Sequence, residues 1–330
     1  MDYKQLSALR YLNGNYHQVD VINVNELDER LFQNKYVNNN RPLLIKGAVK
    51  SWPASKKWTS KFFCEVLGNK IVHLCGNMNF NSAERREATV RKMTMEQALK
   101  LRDCPDDDPV SIPHLPLDKL WYDFSGRPVQ LGMESILSDV KPFSFIRNPK
   151  KGISSPFYRL FLYKNAGTDW HEHPVDEYLL SQISGGKIVG LISSRNNPEY
   201  YKLFEKFESE EYLNDPNFFE QYADKVFKVT VEEGDSLYVP PYWFHGIDTE
   251  DNKPGVTLVY SWRSPLHKLA DFGYPIVRKT FKDALSTGMN RYSAMVCTLA
   301  LVGGLYLCAR RFWLKIAGAG KYEQQSQRQY

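Results

Sequence analysis

Two of the chain's seven histidines, His171 and His173, fall within the stretch GTDWHEHPVDEYLLSQISGGK, residues 167–187. On a β-strand, residues two apart point to the same face. The two imidazoles can therefore converge on one point. Neutral imidazole is the commonest protein ligand for divalent transition metals. A third ligand has to come from elsewhere, and His245 is the candidate. It ends the run GDSLYVPPYWFH, in which Pro240 and Pro241 stiffen the approach to it. A lone histidine is ordinarily a packed or surface residue. The full pattern is far more specific: His-x-His, a long gap, then Gly-Asp-x-Leu-Tyr-x-Pro-Pro-x-Trp-x-His.

Such ligands need rigid strands behind them, and the flanking sequence supplies strand signals. YRLFLYKNAG alternates around aromatic residues and stops at Gly167, while YLLSQISGGKIVGLI is two apolar runs split by Gly185-Gly186, a hairpin signal. VFKVTVEEGDSLYV reads as strand, turn at Glu233-Gly234-Asp235, strand, and GVTLVYSW as a closing strand. Earlier in the chain, RPLLIKGAV and KIVHLCG are short strands. TSKFFCEVLG is a helix capped by Thr59 or Ser60 and stopped at Gly68. RKMTMEQALKLR opens on the capping box Thr94…Gln97. The fold class is mostly β with helical additions. Many short strands with Gly-rich turns predict a double-sheet jelly roll.

Composition narrows the function classes. A length of 330 residues is enough for a sizeable core, and an aromatic share of 14% suits half-buried pleated surfaces. The formal charge of +5 is spread along the chain without a basic block, so nucleic acid is not an expected partner. Five cysteines, with no CxxC pair, imply no disulfide framework and fit a reducing compartment. The first residues lack the apolar core of a secretory signal. The acidic turn around Asp106 reads as a solvated loop.

The C-terminal end differs. Residues 292–309, YSAMVCTLALVGGLYLCA, carry no charge, and Arg291, Arg310, Arg311 and Lys315 bracket them. A helix of that length spans roughly 27 Å, close to a bilayer core, and Phe312 and Trp313 follow as interfacial aromatics. The expectation is a single-pass membrane helix with the main domain in the cytosol, at the endoplasmic reticulum or outer mitochondrial membrane. Ala300 and Gly304 form a small-xxx-small pair compatible with a homodimer.

Over residues 40–265 the chain resembles the JmjC or cupin-like family of Fe(II)/2-oxoglutarate-dependent oxygenases, in particular its small protein-hydroxylase branch. RPLLIKGAVKSWPASKKW is similar to that branch's N-terminal signature, GTDWHEH to its Gly-Thr-x-x-His-x-Asp, and GDSLYVPPYWFH to its distal-histidine segment. The resemblance implies a double-stranded β-helix (jelly-roll or cupin) core. It implies an arm at 1–35, an α/β part at 36–140 and the core at 141–270 with a helical insertion at 196–225. A connecting helix at 271–291, the membrane helix at 292–309 and a polar tail at 310–330 complete the expected organisation. By the same resemblance His171, His173 and His245 are the metal ligands, with Fe(II) the expected ion and another divalent metal an alternative. Lys187 and Thr168 would hold the distal carboxylate of 2-oxoglutarate, with Tyr158, Tyr163 and Tyr260 lining that pocket. The expected substrate is a protein or peptide side chain.

Two departures bear on activity. His173 stands where the family has a carboxylate ligand, which removes one negative charge from the centre; Asp169, Glu172, Asp176 and Glu177 are poorly placed to replace it. Tyr260 stands where the hydroxylase branch often has an asparagine. The functional expectation is a membrane-anchored oxygenase, and the alternative is a degenerate binding module that has lost the acidic ligand.

Overall fold

The computed structural model describes residues 16–76, 90–193, 225–265 and 291–316, apart from positions 107, 118–120, 123–127, 130–133, 153–156, 174–175 and 250–251, together with scattered positions between 195 and 290. The expected insertion at 196–225 lies almost wholly outside the described residues, as do residues 1–15 of the arm, most of the connecting helix and the tail from 317.

In chain order the strands are β1 (Asp20–Asn23), β2 (Leu43–Lys46), β3 (Ile71–Leu74), β4 (Arg91–Thr94), β5 (Val110–Pro116), β6 (Trp121–Tyr122), β7 (Pro128–Val129), β8 (Tyr158–Lys164), β9 (Thr168–His171), β10 (Asp176–Ser184), β11 (Lys187–Ser193), β12 (Val226–Val231), β13 (Ser236–Val239), β14 (Trp243–Thr249) and β15 (Gly255–Arg263). A major sheet runs in the order β1-β2-β13-β10-β15-β8-β5, and a minor sheet in the order β12-β11-β14-β9. Only the β1–β2 pair of these two sheets is parallel. This is the mostly β, cupin or jelly-roll-like architecture, with few helices.

Strand alternation sorts the side chains into two cores. Between the sheets lie Tyr178 and Leu180 of β10, Val189 and Leu191 of β11, Val229 of β12, Leu237 of β13, Ile247 of β14 and Val259 of β15. Residues one position away on the same strands, such as Leu160 and Leu162 of β8, Leu179 of β10 and Leu258 of β15, face outward. They meet the N-terminal α/β part through Phe32, Trp52, Trp58 and Phe63. Helix α1 (Ser60–Leu67) starts at Thr59, whose hydroxyl accepts from the Phe62 amide, and ends at Gly68. Helix α2 (Met95–Arg102) opens on the Thr94–Gln97 capping box, with both reciprocal hydrogen bonds made. Those bonds satisfy amides that a helix start leaves unpaired. The acidic turn is tied down: Asp106 pairs with buried Lys164 at 2.7 Å.

Two hairpin turns use glycine where φ is positive, Gly185 at +74° after β10 and Gly234 at +89° before β13. They fix which residues of the following strands face inward.

The chain divides into two compact units, residues 1–193 with 199–263, and residues 194–198 with 264–330. In the second, helix α3 (Arg291–Ile316) covers the uncharged C-terminal run. Here an expectation is corrected. No helix among the described residues is long and apolar enough to cross a membrane. The uncharged run is only 18 residues, is diluted by Ser293, Thr298, Gly303, Gly304 and Tyr306, and is closed by Arg310, Arg311 and Lys315. The membrane helix expected of this run is not supported, and neither is the single-pass localisation that rests on it.

Candidate metal centre

Strands β9 and β14 pair antiparallel with His171 directly opposite His245 and Thr168 opposite Ile247. Three steps on β9 match two on β14, so β9 carries a bulge. Its effect is to bring Thr168 as well as His171 to the inner face, although the two are an odd number of residues apart. Trp170, between them, turns outward and is fully buried against Gly246; a Cβ at Gly246 would meet the indole at 3.0 Å.

His173 lies just past β9, and its carbonyl accepts from the Tyr242 amide at 3.0 Å. Tyr242 holds φ at 63°, a left-handed conformation that costs a bulky residue about 1–2 kcal/mol. The surrounding loop is fastened by Asn40: its side-chain amide donates to the Pro241 carbonyl, and its own carbonyl accepts from the Trp243 indole, both at 2.9 Å.

The three imidazoles meet. Their rings are 4.2 Å apart for His171–His245, 4.8 Å for His171–His173 and 5.2 Å for His173–His245. One nitrogen from each lies within 4.8 Å of the others. Metal–imidazole bonds of 2.0–2.1 Å space neighbouring ligands by roughly 3 Å, so small ring rotations close the set. Burial, and after it the nearby Arg159 charge, pulls His245 down to about 4. It is therefore neutral at ordinary pH, the form a metal requires. Its Nδ1 lies 3.0 Å from the Trp243 carbonyl. That hydrogen bond selects the tautomer that leaves Nε2 to the metal. The donor set fits a divalent transition metal. Among the described residues the cluster contains no carboxylate. Glu177 instead accepts from the Tyr238 hydroxyl at 2.5 Å on the outer face.

Further along the same interior stands Lys187, with Val189 and Leu191 on its side of β11, the last of these opposite His245. Its ammonium lies 4.2 Å from the centroid of the Tyr163 ring and 5.9 Å from that of Phe161. Burial pulls it down to about 7, and among the described residues no carboxylate pairs with it. The Tyr163 hydroxyl accepts from the Gln182 amide, whose oxygen in turn accepts from Thr257 at 2.9 Å. Tyr163 lies flat on β15 because Gly255 has no side chain; a Cβ there would collide with the phenol ring.

Of the residues selected by sequence, His171, His173 and His245 come together, and Thr168, Tyr163 and Lys187 share their interior. Tyr158 and Tyr260 do not, and this corrects their expected place in the pocket. They sit on the outer face, 4.9 Å apart, with Tyr260 stacked on Phe157 and next to Phe143. The reason is parity: Tyr158 and Tyr163 are five apart on one regular strand and cannot face the same way. Sequence reasoning missed Gln182, Thr257 and Arg159. All three share the face of Tyr163 and Lys187, which the sheet registers show and the sequence does not mark.

A jelly roll with a histidine triad able to hold a metal ion is the class that fold and site define. The family model described as a cupin-like domain matches residues 29–112, the part before the histidines. The chain is 24% identical over 254 residues to the Jumonji C domain-containing protein 5 of Drosophila melanogaster, covering 70% of this chain and 57% of that protein. It is 32% identical over 112 residues to the tRNA wybutosine-synthesizing protein 5 of Gallus gallus, covering 32% of this chain and 34% of that protein. The chain thus spans about half, or less, of the curated relatives it matches. The chain is thus similar to cupin-like and Jumonji C domain proteins, and the structure adds a histidine triad able to hold a metal ion.

Proposed function

We propose that the domain is a metal-dependent 2-oxoglutarate oxygenase that hydroxylates a protein side chain. The observation that carries this reading is the pairing of two features in one interior. Three convergent imidazoles stand toward one end and a buried ammonium, with no carboxylate partner among the described residues, toward the other. A buried cation is costly unless it meets an anion. A five-carbon diacid fits that demand, with its oxo-acid end at the histidines and its distal carboxylate at Lys187.

His171, His173 and His245 would hold Fe(II) or another divalent ion. When bound, metal and oxo acid supply the oxidising chemistry, in which 2-oxoglutarate and oxygen become succinate and carbon dioxide as a C–H bond becomes C–OH. Lys187 fixes the distal carboxylate by charge, and the Thr168 hydroxyl can donate to the same group. Tyr163 walls that end of the cavity and is itself held by Gln182. The apolar residues between the sheets keep water away, which strengthens each of these contacts. The Gallus gallus relative's name refers to tRNA; here the scattered charge and lack of a basic block favour a peptide.

A second reading, a binding module without turnover, is favoured by the absence of a carboxylate from the described ligand cluster. Anaerobic titration of the full chain with Fe(II) and 2-oxoglutarate separates the two. The expected result is a visible metal-to-ligand charge-transfer band. Iron bound by direct metal analysis, with no band at saturating oxo acid, would select the binding module.

A further inference from the structure

The inner face of β8 presents Arg159, Phe161 and Tyr163 in turn, and two cations flank the middle ring. The Arg159 guanidinium carbon and the Lys187 ammonium each lie 5.9 Å from the Phe161 centroid. Lys187 has a place in the reading above, whereas Arg159 has none. It is 4% exposed, stands 5.2 Å from the centroid of the Tyr178 ring and is hydrogen-bonded to that residue. Tyr178 in turn lies against the His173 ring at 4.1 Å. The guanidinium is thus on the histidine side of the interior, reached through Tyr178.

The groups that act on Arg159 include Tyr178 and Asp176, the latter wholly buried and on the same side of β10 as Tyr178, and the charge of Arg159 acts on His245. Asp176 offsets one positive charge. A divalent metal would bring two more, and His173 contributes none of the negative charge that a carboxylate ligand would. The histidine end, once loaded, is therefore cationic and dry, conditions in which charge seeks a counter-ion. The planar fork of an arginine is suited to receiving a carboxylate with two parallel hydrogen bonds. Tyr260, the residue at the asparagine position of the resemblance, faces the other way and cannot serve that carboxylate.

We propose that Arg159 is an anion anchor at the metal end: it receives the carboxylate of a small organic acid chelated at the histidines, as Lys187 receives the distal one. The cavity then selects short diacids by two cations, one at each end. This inference rests on the histidines being a metal centre, as under Proposed function, but not on the identity of the oxo acid.

The test uses the full chain loaded with Co(II), titrated optically with oxalate and, separately, with 2-oxoglutarate. Oxalate carries the metal-end chelate and has no distal group to reach Lys187. Arg159→Met is expected to keep its cobalt by metal analysis and to bind oxalate at least about tenfold more weakly, the loss expected of a charge-assisted hydrogen bond. Arg159→Lys, which keeps the charge but not the fork, should fall between, and it decides the matter if Arg159→Met fails to load metal. Lys187→Met should leave oxalate affinity within about twofold while weakening 2-oxoglutarate. Wild-type oxalate affinity in either metal-loaded Arg159 variant, or no oxalate binding by the wild type, overturns the anchor and leaves Arg159 as the counter-ion of Asp176. Arg159-dependent oxalate binding by a protein that ignores 2-oxoglutarate would keep the anchor and sink the co-substrate reading. A charge-transfer band with Arg159-independent oxalate affinity would do the reverse.

Discussion

Strand β8 separates two regions made from the same short sequence. Its inner face carries Arg159, Phe161 and Tyr163, and there the neighbours are a buried ammonium, a hydrogen-bonded glutamine and, through Tyr178, the histidines. Its outer face carries Tyr158, Leu160 and Leu162, and there the neighbours are Tyr260, Phe157 and the N-terminal core. Both faces are buried, both hold tyrosine, and neither differs from the other in propensity. What distinguishes them is the chemistry brought to each by other strands. The outer face holds the fold together, and the inner face holds the charges that the outer face makes affordable.

That division can be attacked at several strengths. His245→Ala removes one of the three imidazoles proposed to hold the metal, and its expected cost is on the order of a thousandfold in metal affinity, a share of a typical binding free energy of about 10–16 kcal/mol. Metal analysis after dialysis against a graded chelator reads it. Leu160→Ala, on the outer face, should lower stability by about 2–5 kcal/mol in denaturant unfolding and leave the ligand affinity of the surviving folded protein unchanged. A loss of affinity without a loss of stability would mean that the two faces are not separate regions.

Lys187→Met gives the next largest effect, and its sign depends on pH. Burial lowers the folded-state pKa of Lys187 to about 7, against 10.5 for the free side chain. In the unliganded protein its charging therefore opposes folding. That cost is fully present below pH 7 and fades as pH rises from about 7 toward 10.5. Thermal melts should show wild-type stability rising with pH across this window relative to the Lys187→Met variant. Affinity for 2-oxoglutarate should move the other way, weakening as the ammonium deprotonates above about pH 7, and the variant should show no such trend. Flat wild-type curves would remove Lys187 from the anion site. The smallest effect contrasts the two tyrosines. Tyr163→Phe leaves the Gln182 amide without its phenol acceptor and should weaken the oxo acid by about 0.5–1.5 kcal/mol, whereas Tyr158→Phe should leave it unchanged.

Much of this was legible in the residues, for reasons that are local. The capping box at Thr94, the Thr59 cap and the turns at Gly185 and Gly234 are short-range chemistry, and each is found where its residues predict. The three histidines could be grouped because His-x-His and a rigid Pro-Pro approach are rare together. What failed was non-local. Alternation tells which residues share a face but not which face meets the site, and the resemblance groups Tyr158 and Tyr260 with Tyr163 although the parity of β8 forbids the first. The bulge that brings Thr168 round to the His171 side leaves no mark in a single sequence. The uncharged run at 292–309 matches a bilayer in length, but no helix among the described residues is long and apolar enough to cross a membrane. Arg159, an arginine in an apolar strand, carries no motif; only the sheet shows what it faces.

The position of β9 has a kinetic consequence. It lies at the end of its sheet, and among the described residues only β14 pairs with it, through two registered pairs around a bulge. The opposite edge, β12, is shielded by bonds to His17. A strand held on one side frays ahead of its neighbours. Because His171 and Thr168 ride on it together, each fraying event would, under the proposed function, lift a metal ligand and an acid-binding hydroxyl at once. On that reading, escape of the ion and of the acid would depend on the same fraying event and share one lifetime. Deuterium uptake at 168–171 should outpace that at 243–249 in the empty protein and slow markedly once metal is added.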